Sequence, residues 1–517
     1  MKKNYVMLAL LGLVAAITVL IVVKISFRGL SRLTDNASYL RVKVDRQGPY
    51  LILVSVNAKE EFSETVAIAR QLHPEAQVST FEPGRPESAG KIMRDLRPRY
   101  VMVILRPDEL DVNLAWNWIK ITASLDGDPF LDTSTGFITA ESPAKAAAFA
   151  GRILDAVEGR LRLPGKLIDN LGPNQMSLKT AWQKTPGAFM VPVFQESFAV
   201  ETISHGIRGF TEERLGEMDG AGFIHYGGHG YPDRVIDSLN GVFVRKLRMA
   251  PAVFFNGACY TGVTGRWFSA ADRVKEHQVD PRVSFALGVL ANNTVAYLAP
   301  LHPDHGLPVY QEMEYLAYSG ASLGDVMRDT HNAVILAAGA ASFEPPVLQD
   351  GMKAPNWGPA EIMLFGTASR VLFGDPALMP LEAFSAPPFI QTITEREGKL
   401  LVDAVTADTK LKSTFANTFA SDLSATGQFN ARARLIIELP PEWNQVGALE
   451  QVVVQLKNAV IPHRMVAWKV EKNRGAYFLH VHIDVKATGF LESLLQRPGA
   501  RVSFLVSPYE EGSKNSS

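Results

Sequence analysis

Two apolar runs near the start of the chain have the length and texture of buried strands. Tyr50-Leu-Ile-Leu-Val-Ser-Val56 and Tyr100-Val-Met-Val-Ile-Leu105 are continuous rather than alternating, which predicts strands covered on both faces. Between them the pattern changes to a helical one, over Ser63 to Leu72 and again over Ser88 to Leu96, where Pro98 stops it. Ser142-Pro143 then opens an alanine-rich helix to about Leu161, with serine at the cap and proline in the first turn. Strands alternating with helices in this way predict a largely parallel sheet between layers of helices, a three-layer, Rossmann-like α/β arrangement.

The same pattern resumes from about Val191 to Pro380. Phe223-Ile-His-Tyr226, Pro251-Ala-Val-Phe-Phe255 and Thr294-Val-Ala-Tyr-Leu298 read as strands, and Ser322 to Ala338 as a helix. Ser385-Ala-Pro-Pro388 reads as a linker. Beyond it, Ala433 to Leu439, Val452 to Leu456 and Phe478 to Val485 are short β-rich runs with few helical periods, which predict an all-β sandwich. The expected organisation is therefore an N-terminal α/β subdomain over 45–180, a second α/β subdomain over 181–384 and a β-sandwich over 389–510.

A chain of 517 residues is too long for one hydrophobic core, so several domains are the natural expectation. With 52 Lys+Arg against 53 Asp+Glu, there is no basic excess to suggest a nucleic-acid partner. The first residues depart from this soluble pattern. Tyr5 to Val23 carries no charge and is long enough to span a bilayer as a helix. Lys2 and Lys3 precede it, and Lys24, Arg28 and Arg32 follow. The run is longer than the apolar part of a cleaved signal, and no good small-residue cleavage site follows it. The expectation is an uncleaved anchor within 1–28 that leaves the remaining domains outside the cytosol, with a cleaved signal and secretion as the alternative.

One cysteine, Cys259, occurs in the whole chain, so no internal disulfide can form. It follows an apolar strand and a small-residue turn, Asn256-Gly-Ala-Cys259. Thirty residues earlier stands a parallel phrase, Tyr226-Gly-Gly-His229-Gly230. That spacing allows a crossover between neighbouring parallel strands, and open parallel sheets bind ligands at the carboxyl ends of their strands. His229 and Cys259 are thus expected at one sheet edge. There a histidine can lower the thiol pKa and move its proton. The glycines leave room for a substrate backbone. The backbone N–H groups of Gly230 and Cys259 can form an oxyanion hole if both loops face the cleft.

An apolar strand ending in Gly-His-Gly, followed by one ending in Ala-Cys, resembles the caspase-like cysteine peptidases, and among them the gingipain family. Phe373-Gly-Asp375-Pro376-Ala-Leu378 resembles the phrase that closes that family's catalytic domain. Asp128-Pro-Phe130 through Gly136, with Ser142-Pro-Ala-Lys-Ala146, resembles its preceding subdomain, and the final β domain is similar to the immunoglobulin-like module that often follows. The resemblance covers roughly 50–385 in pattern. It implies a caspase-like catalytic subdomain, Cys259 as nucleophile, His229 as general base, an oxyanion hole from Gly230 and Cys259, protein or peptide substrates, and no cofactor or metal. The third, acidic residue of many such sites is not fixed by any motif; Glu196, Glu201 and Asp233 are candidates by proximity only. An inactive scaffold or binding module, and a self-processing or transpeptidase-like activity, are the alternatives.

Several other residues have plainer readings. His225 is expected to pack inside its strand, Asp375 to cap a turn, and Trp116 and Trp118 to fill the core. His302-Pro-Asp304-His305 reads as pocket wall rather than zinc site. His480, His482 and Asp484 share one strand face, expected to be solvated. Arg245-Lys-Leu-Arg248 is expected to form the solvated face of a crossover helix.

Overall fold

Ten strands, in the described residues, hydrogen-bond into one sheet that runs through both α/β blocks. The computed structural model describes residues 39–169, 199–202, 220–235, 239–304, 308–338, 342–383, 389–406, 432–460, 464–473, 475–484 and 499–509. Those from Leu40 onward belong to one compact unit. The apolar stretch Tyr5–Val23 lies outside the described residues; among those described, no helix is long and apolar enough to cross a membrane.

The first block contributes β1 (Tyr50–Ser55), α1 (Ser63–Leu72), β2 (Gln77–Phe81), α2 (Glu87–Leu96), β3 (Tyr100–Ile104), α3 (Val112–Thr122), β4 (Ser134–Ile138) and α4 (Pro143–Val157). All residues of β1 and β3 are buried, as continuous apolar runs require when helices cover both faces. Helix α4 starts where the sequence places it: the Ser142 side chain accepts from the Lys145 N–H and Pro143 follows.

The second block adds β5 (Lys166–Asp169), β6 (Ala199–Thr202), β7 (Phe223–Tyr226), α5 (Gly241–Lys246), β8 (Ala252–Asn256), α6 (Phe285–Ala291), β9 (Thr294–Pro300), α7 (Pro308–Ser319), α8 (Leu323–Ala337), α9 (Pro359–Ala368) and β10 (Arg370–Phe373). The strand order is β2-β1-β3-β4-β10-β9-β8-β7-β5-β6. Every neighbouring pair is parallel except β9 with β10.

The two blocks are joined at β10, which pairs with β9 on one side and with β4 through Phe137 and Phe373 on the other. A side chain at Gly136 would lie 2.3 Å from the Gly374 carbonyl, so the seam closes only over glycine. Two buried carboxylates fasten it. Asp375 accepts from the Tyr50 hydroxyl at 2.7 Å and pairs with His73 at 2.8 Å. Asp325 accepts from Ser134 and Arg99 at 2.6 and 2.8 Å. Asp375 does receive the Ala377 N–H as a turn residue would, but its buried role across the seam is larger than the cap expected of it.

The C-terminal part has its own core, including Val402, Leu435, Val481 and Phe504. Its strands are β11 (Phe389–Arg396), β12 (Lys399–Thr406), β13 (Arg432–Glu438), β14 (Val446–Leu456), β15 (Arg464–Asn473), β16 (Ala476–Asp484) and β17 (Ala500–Pro508). They form two antiparallel sheets, β11-β12-β17-β14 extended by Ala459–Val460, and β13-β16-β15. The solvated face expected around His480 is not what this residue occupies. His480 is buried, paired with Glu471 at 2.5 Å and stacked on Phe130 of the α/β part with ring centroids 4.7 Å apart. Beside it the Lys472 N–H donates to Asp128 at 2.9 Å. A histidine face matched to a ring on another domain is buried by docking, which strand alternation alone does not reveal.

Candidate active site

Strands β7 and β8 are parallel neighbours, with Tyr226 opposite Asn256. His229 and Cys259 each come three residues after these strand ends, in the loops that leave the sheet at its carboxyl edge. The Gly257 N–H donates to the Tyr226 carbonyl at 2.8 Å, carrying the pairing one residue past the strand end. Strand order also reverses its direction of growth between β7 and β5, and open α/β sheets hold ligands at such a crevice. Cys259 is partly exposed and His229 exposed, unlike a cysteine serving as a sealed core residue.

The Gly-His-Gly loop lies directly on the cysteine loop. A β-carbon added at Gly230 would sit 2.6 Å from Thr261 Cγ2, 2.8 Å from Ala258 Cβ and 2.9 Å from the Cys259 carbonyl oxygen. The glycine expected to clear space for a substrate backbone is thus required already for the two loops to touch. The Tyr226 hydroxyl reaches up from the strand to donate to the His229 carbonyl at 3.2 Å. Burial pushes this phenol above its ordinary range, so it acts as a neutral donor.

The cysteine loop is pinned by a buried network. Asn256 Oδ1 accepts the Ala258 N–H at 2.8 Å, and its Nδ2 donates to the Tyr297 hydroxyl at 3.0 Å. Tyr297 in turn donates to the Thr261 carbonyl at 2.9 Å, and Thr261 Oγ1 donates to the Ala258 carbonyl at 2.7 Å. Beneath them Arg370, fully buried, donates to the Asn256 carbonyl at 2.8 Å and pairs with Asp304 at 2.6 Å and Glu312 at 2.7 Å. Burial opposes the Arg370 charge, but the two carboxylates outweigh it and raise its pKa.

The residue after the cysteine, Tyr260, has φ 64°. A non-glycine residue in the left-handed region costs roughly 1–2 kcal/mol and persists only where its surroundings impose it. Here the anchors at Asn256, Ala258 and Thr261 do so, holding Cys259 on a tight turn at the sheet edge. Burial first, and the nearby Cys259 charge second, raise the Tyr260 phenol above its ordinary range. Its ring lies edge-on to Trp267 at 5.1 Å and to His302 at 5.6 Å.

The remaining expected residues fall as follows. His225 is buried inside β7, and Trp116 and Trp118 are core. His302 is buried among rings, and Asp304 is engaged by Arg370, which fits a wall and not a zinc site; His305 lies outside the described residues. Lys246 and Arg248 are exposed as expected, whereas Arg245 is half-buried and donates to the Gly241, Pro281 and Arg282 carbonyls and to Glu141. Asp233 is paired with Arg234 at 2.9 Å, Glu201 lies in β6, and Glu196 is outside the described residues. Among the described residues no carboxylate hydrogen-bonds the His229 ring. Arg370, Tyr297 and Thr261 were not singled out in the sequence. The signal for Arg370 is a charged residue opening the apolar run Val371-Leu-Phe373, because a buried charge requires partners.

The parallel sheet thus presents a histidine loop and a cysteine loop from adjacent strand ends. The chain is similar in structure to the Porphyromonas gingivalis RgpB pro- and mature-domain complex, at 10% identity and TM-score 0.45, over 89% of this chain and 97% of that one. It is similar to a structure titled "Structure of Protease" at 12% identity and TM-score 0.44, over 85% and 91% of the two chains. A Saccharomyces cerevisiae separase–securin structure aligns at 11% identity and TM-score 0.34, over 54% of this chain and 15% of that one. No family model and no curated protein sequence matches the chain.

Proposed function

We propose that the chain is a cysteine endopeptidase that cleaves protein or peptide substrates through a Cys259–His229 pair. The observation that carries this reading is that the parallel neighbours β7 and β8 lead into the His229 and Cys259 loops, with Gly230 packed on the cysteine loop. In the proposed reaction His229 takes the Cys259 proton, and the sulfur attacks the scissile carbonyl carbon. The Gly230 and Cys259 amides stabilise the resulting oxyanion. The C–N bond then breaks, and the imidazolium returns the proton to the leaving amine. Water attacks the thioester with His229 again as base, releasing the acid and restoring the thiol. No organic cofactor takes part.

The proposal includes an immunoglobulin-like character for the C-terminal sandwich and anchoring to a membrane through Tyr5–Val23, with the folded domains in the cell envelope. A second reading, an inactive peptidase-like binding module, is favoured by one observation: no described carboxylate orients His229. One experiment separates the two. The full chain in detergent is treated with an electrophilic peptide probe, beside Cys259→Ala. Labelling of wild type alone, together with peptide turnover lost in the variant, is the expected result. Equal labelling of both proteins, or no turnover in either, would sink the peptidase reading.

A further inference from the structure

Beyond Cys259 the sheet edge continues into a connected group of rings. Tyr260 meets Trp267 and His302 at 5.1 and 5.6 Å. Trp267 stacks on His277 at 4.5 Å. His302 meets Trp116 and Trp357 at 5.6 and 5.9 Å. Trp116 and His302 are buried and make the floor, whereas Tyr260, Trp267, His277 and Trp357 are partly exposed. The pinned turn at Tyr260 and the end of β9, where the Gly262 N–H donates to the Pro300 carbonyl at 2.8 Å, bring this wall to the nucleophile.

Among the described residues, two buried carboxylates beside the wall are already paired with arginines. Asp304, buried, is paired with Arg370 at 2.6 Å. Asp111, buried, caps α3 and is paired with Arg266 at 2.5 Å. Arg266 adjoins Trp267 in the same strand, Arg266–Ala270, and its charge is balanced by Asp111. A substrate cation placed here would find both of these buried carboxylates already occupied. An aromatic or branched side chain would instead find edges and faces to pack on, the pairing that aromatic groups favour.

We infer that this wall reads the substrate residue whose carbonyl Cys259 attacks, and that it selects an aromatic or large aliphatic side chain over a basic one. The inference rests on the peptidase reading: the attacked carbonyl is bonded to Sγ in the acyl-enzyme, so the side chain one atom away lies against whatever flanks the cysteine. Tyr260 and Trp267 form the contact surface, with His302 as its backing. Rings also attract cations through their faces, and a preference for Lys or Arg is the opposing outcome.

The test is a set of fluorogenic peptides, identical except for Phe, Leu, Arg, Lys or Asp before the scissile bond, given to the full chain in detergent. Phe and Leu substrates are expected to be cleaved at least about 10-fold faster, in kcat/KM, than Arg and Lys. Trp267→Ala is expected to lower kcat/KM for Phe about 10-fold while Cys259 alkylation by iodoacetamide keeps its wild-type rate; Trp267→Phe restores most of the loss. Faster cleavage after Arg, Lys or Asp, or a Trp267→Ala variant that keeps the Phe preference, overturns the inference and leaves the peptidase reading standing. Absence of turnover on every peptide overturns the peptidase reading, and this inference with it.

Discussion

Replacing Gly230 with alanine tests whether contact between the two loops is what makes the site. The new β-carbon would lie 2.6 Å from Thr261 Cγ2, about 0.9 Å inside ordinary carbon–carbon contact near 3.5 Å. Thr261 cannot swing away freely, because its hydroxyl and carbonyl are both bonded within the loop network. The Cys259 carbonyl at 2.9 Å is backbone, so the clash is relieved by moving one loop away from the other. Overpacking of this kind costs about 1–3 kcal/mol of stability. A displacement near 1 Å in a catalytic pair costs about 100-fold in rate, or about 2.7 kcal/mol of transition-state stabilisation. The assay compares kcat/KM on the best cleaved peptide with iodoacetamide alkylation of Cys259 in the same preparation, with Gly84→Ala as control, since nothing lies within 4 Å of a β-carbon there. Gly230→Ala should lose about 100-fold in kcat/KM while its thiol still alkylates. Wild-type turnover in Gly230→Ala would refute the claim that loop contact positions the pair.

Two further perturbations probe the frame. Arg370→Met removes the cation from buried Asp304 and Glu312; breaking such a cluster should cost about 3–5 kcal/mol. Chemical denaturation checks this, and adding Asp304→Asn with Glu312→Gln should recover much of the loss. Where the sandwich meets the α/β part, burial and then the neighbouring acids Asp126 and Glu471 raise Asp128 to about 7. Burial, Asp126, Asp128 and Glu471 raise Asp132 to about 8. Folded pKa values above the unfolded ones mean that the native state holds the extra protons. This stabilisation is complete below about pH 4 and is lost as pH rises through 7 to 8. The melting temperature should therefore fall between pH 6 and pH 9, by on the order of 1–2 kcal/mol of stability after allowing for partial exposure. Asp132→Asn should flatten that slope, and a slope unchanged by the substitution would show that the proton sits elsewhere.

The elements that were legible in the sequence are those whose signals are local. Ser63–Leu72 and the Ser142-Pro143 helix start emerge where helical period and capping chemistry place them. Tyr50 and Tyr100 begin strands because their apolar runs are unbroken. The adjacency of the strands that lead to His229 and Cys259 was legible because glycines punctuate two similar apolar runs. What was not legible depends on distant partners. Nothing near Arg370 announces Asp304 and Glu312, which lie 66 and 58 residues away in sequence. The fusion of both α/β blocks into one sheet rests on a single bridge, Phe137 to Phe373, and on a glycine whose need appears only when Gly374 lies against it. His480 looked like surface because alternation says which side a residue faces, not what will later cover that side.

The placement of β10 bears on the order in which the protein is made. Its residues, Arg370–Phe373, fill the slot between β4, ending at Ile138, and β9, ending at Pro300. A growing chain therefore displays two unsatisfied strand edges until more than two hundred residues after β4 have been synthesised. Exposed edges of this kind are templates for pairing with other chains, and late non-local closure slows folding. A ribosome stalled before Phe373 would carry a sheet open at its middle, so chaperone demand and aggregation should concentrate in that stretch of translation. Cutting the gene between the two blocks would leave each half with the same exposed seam.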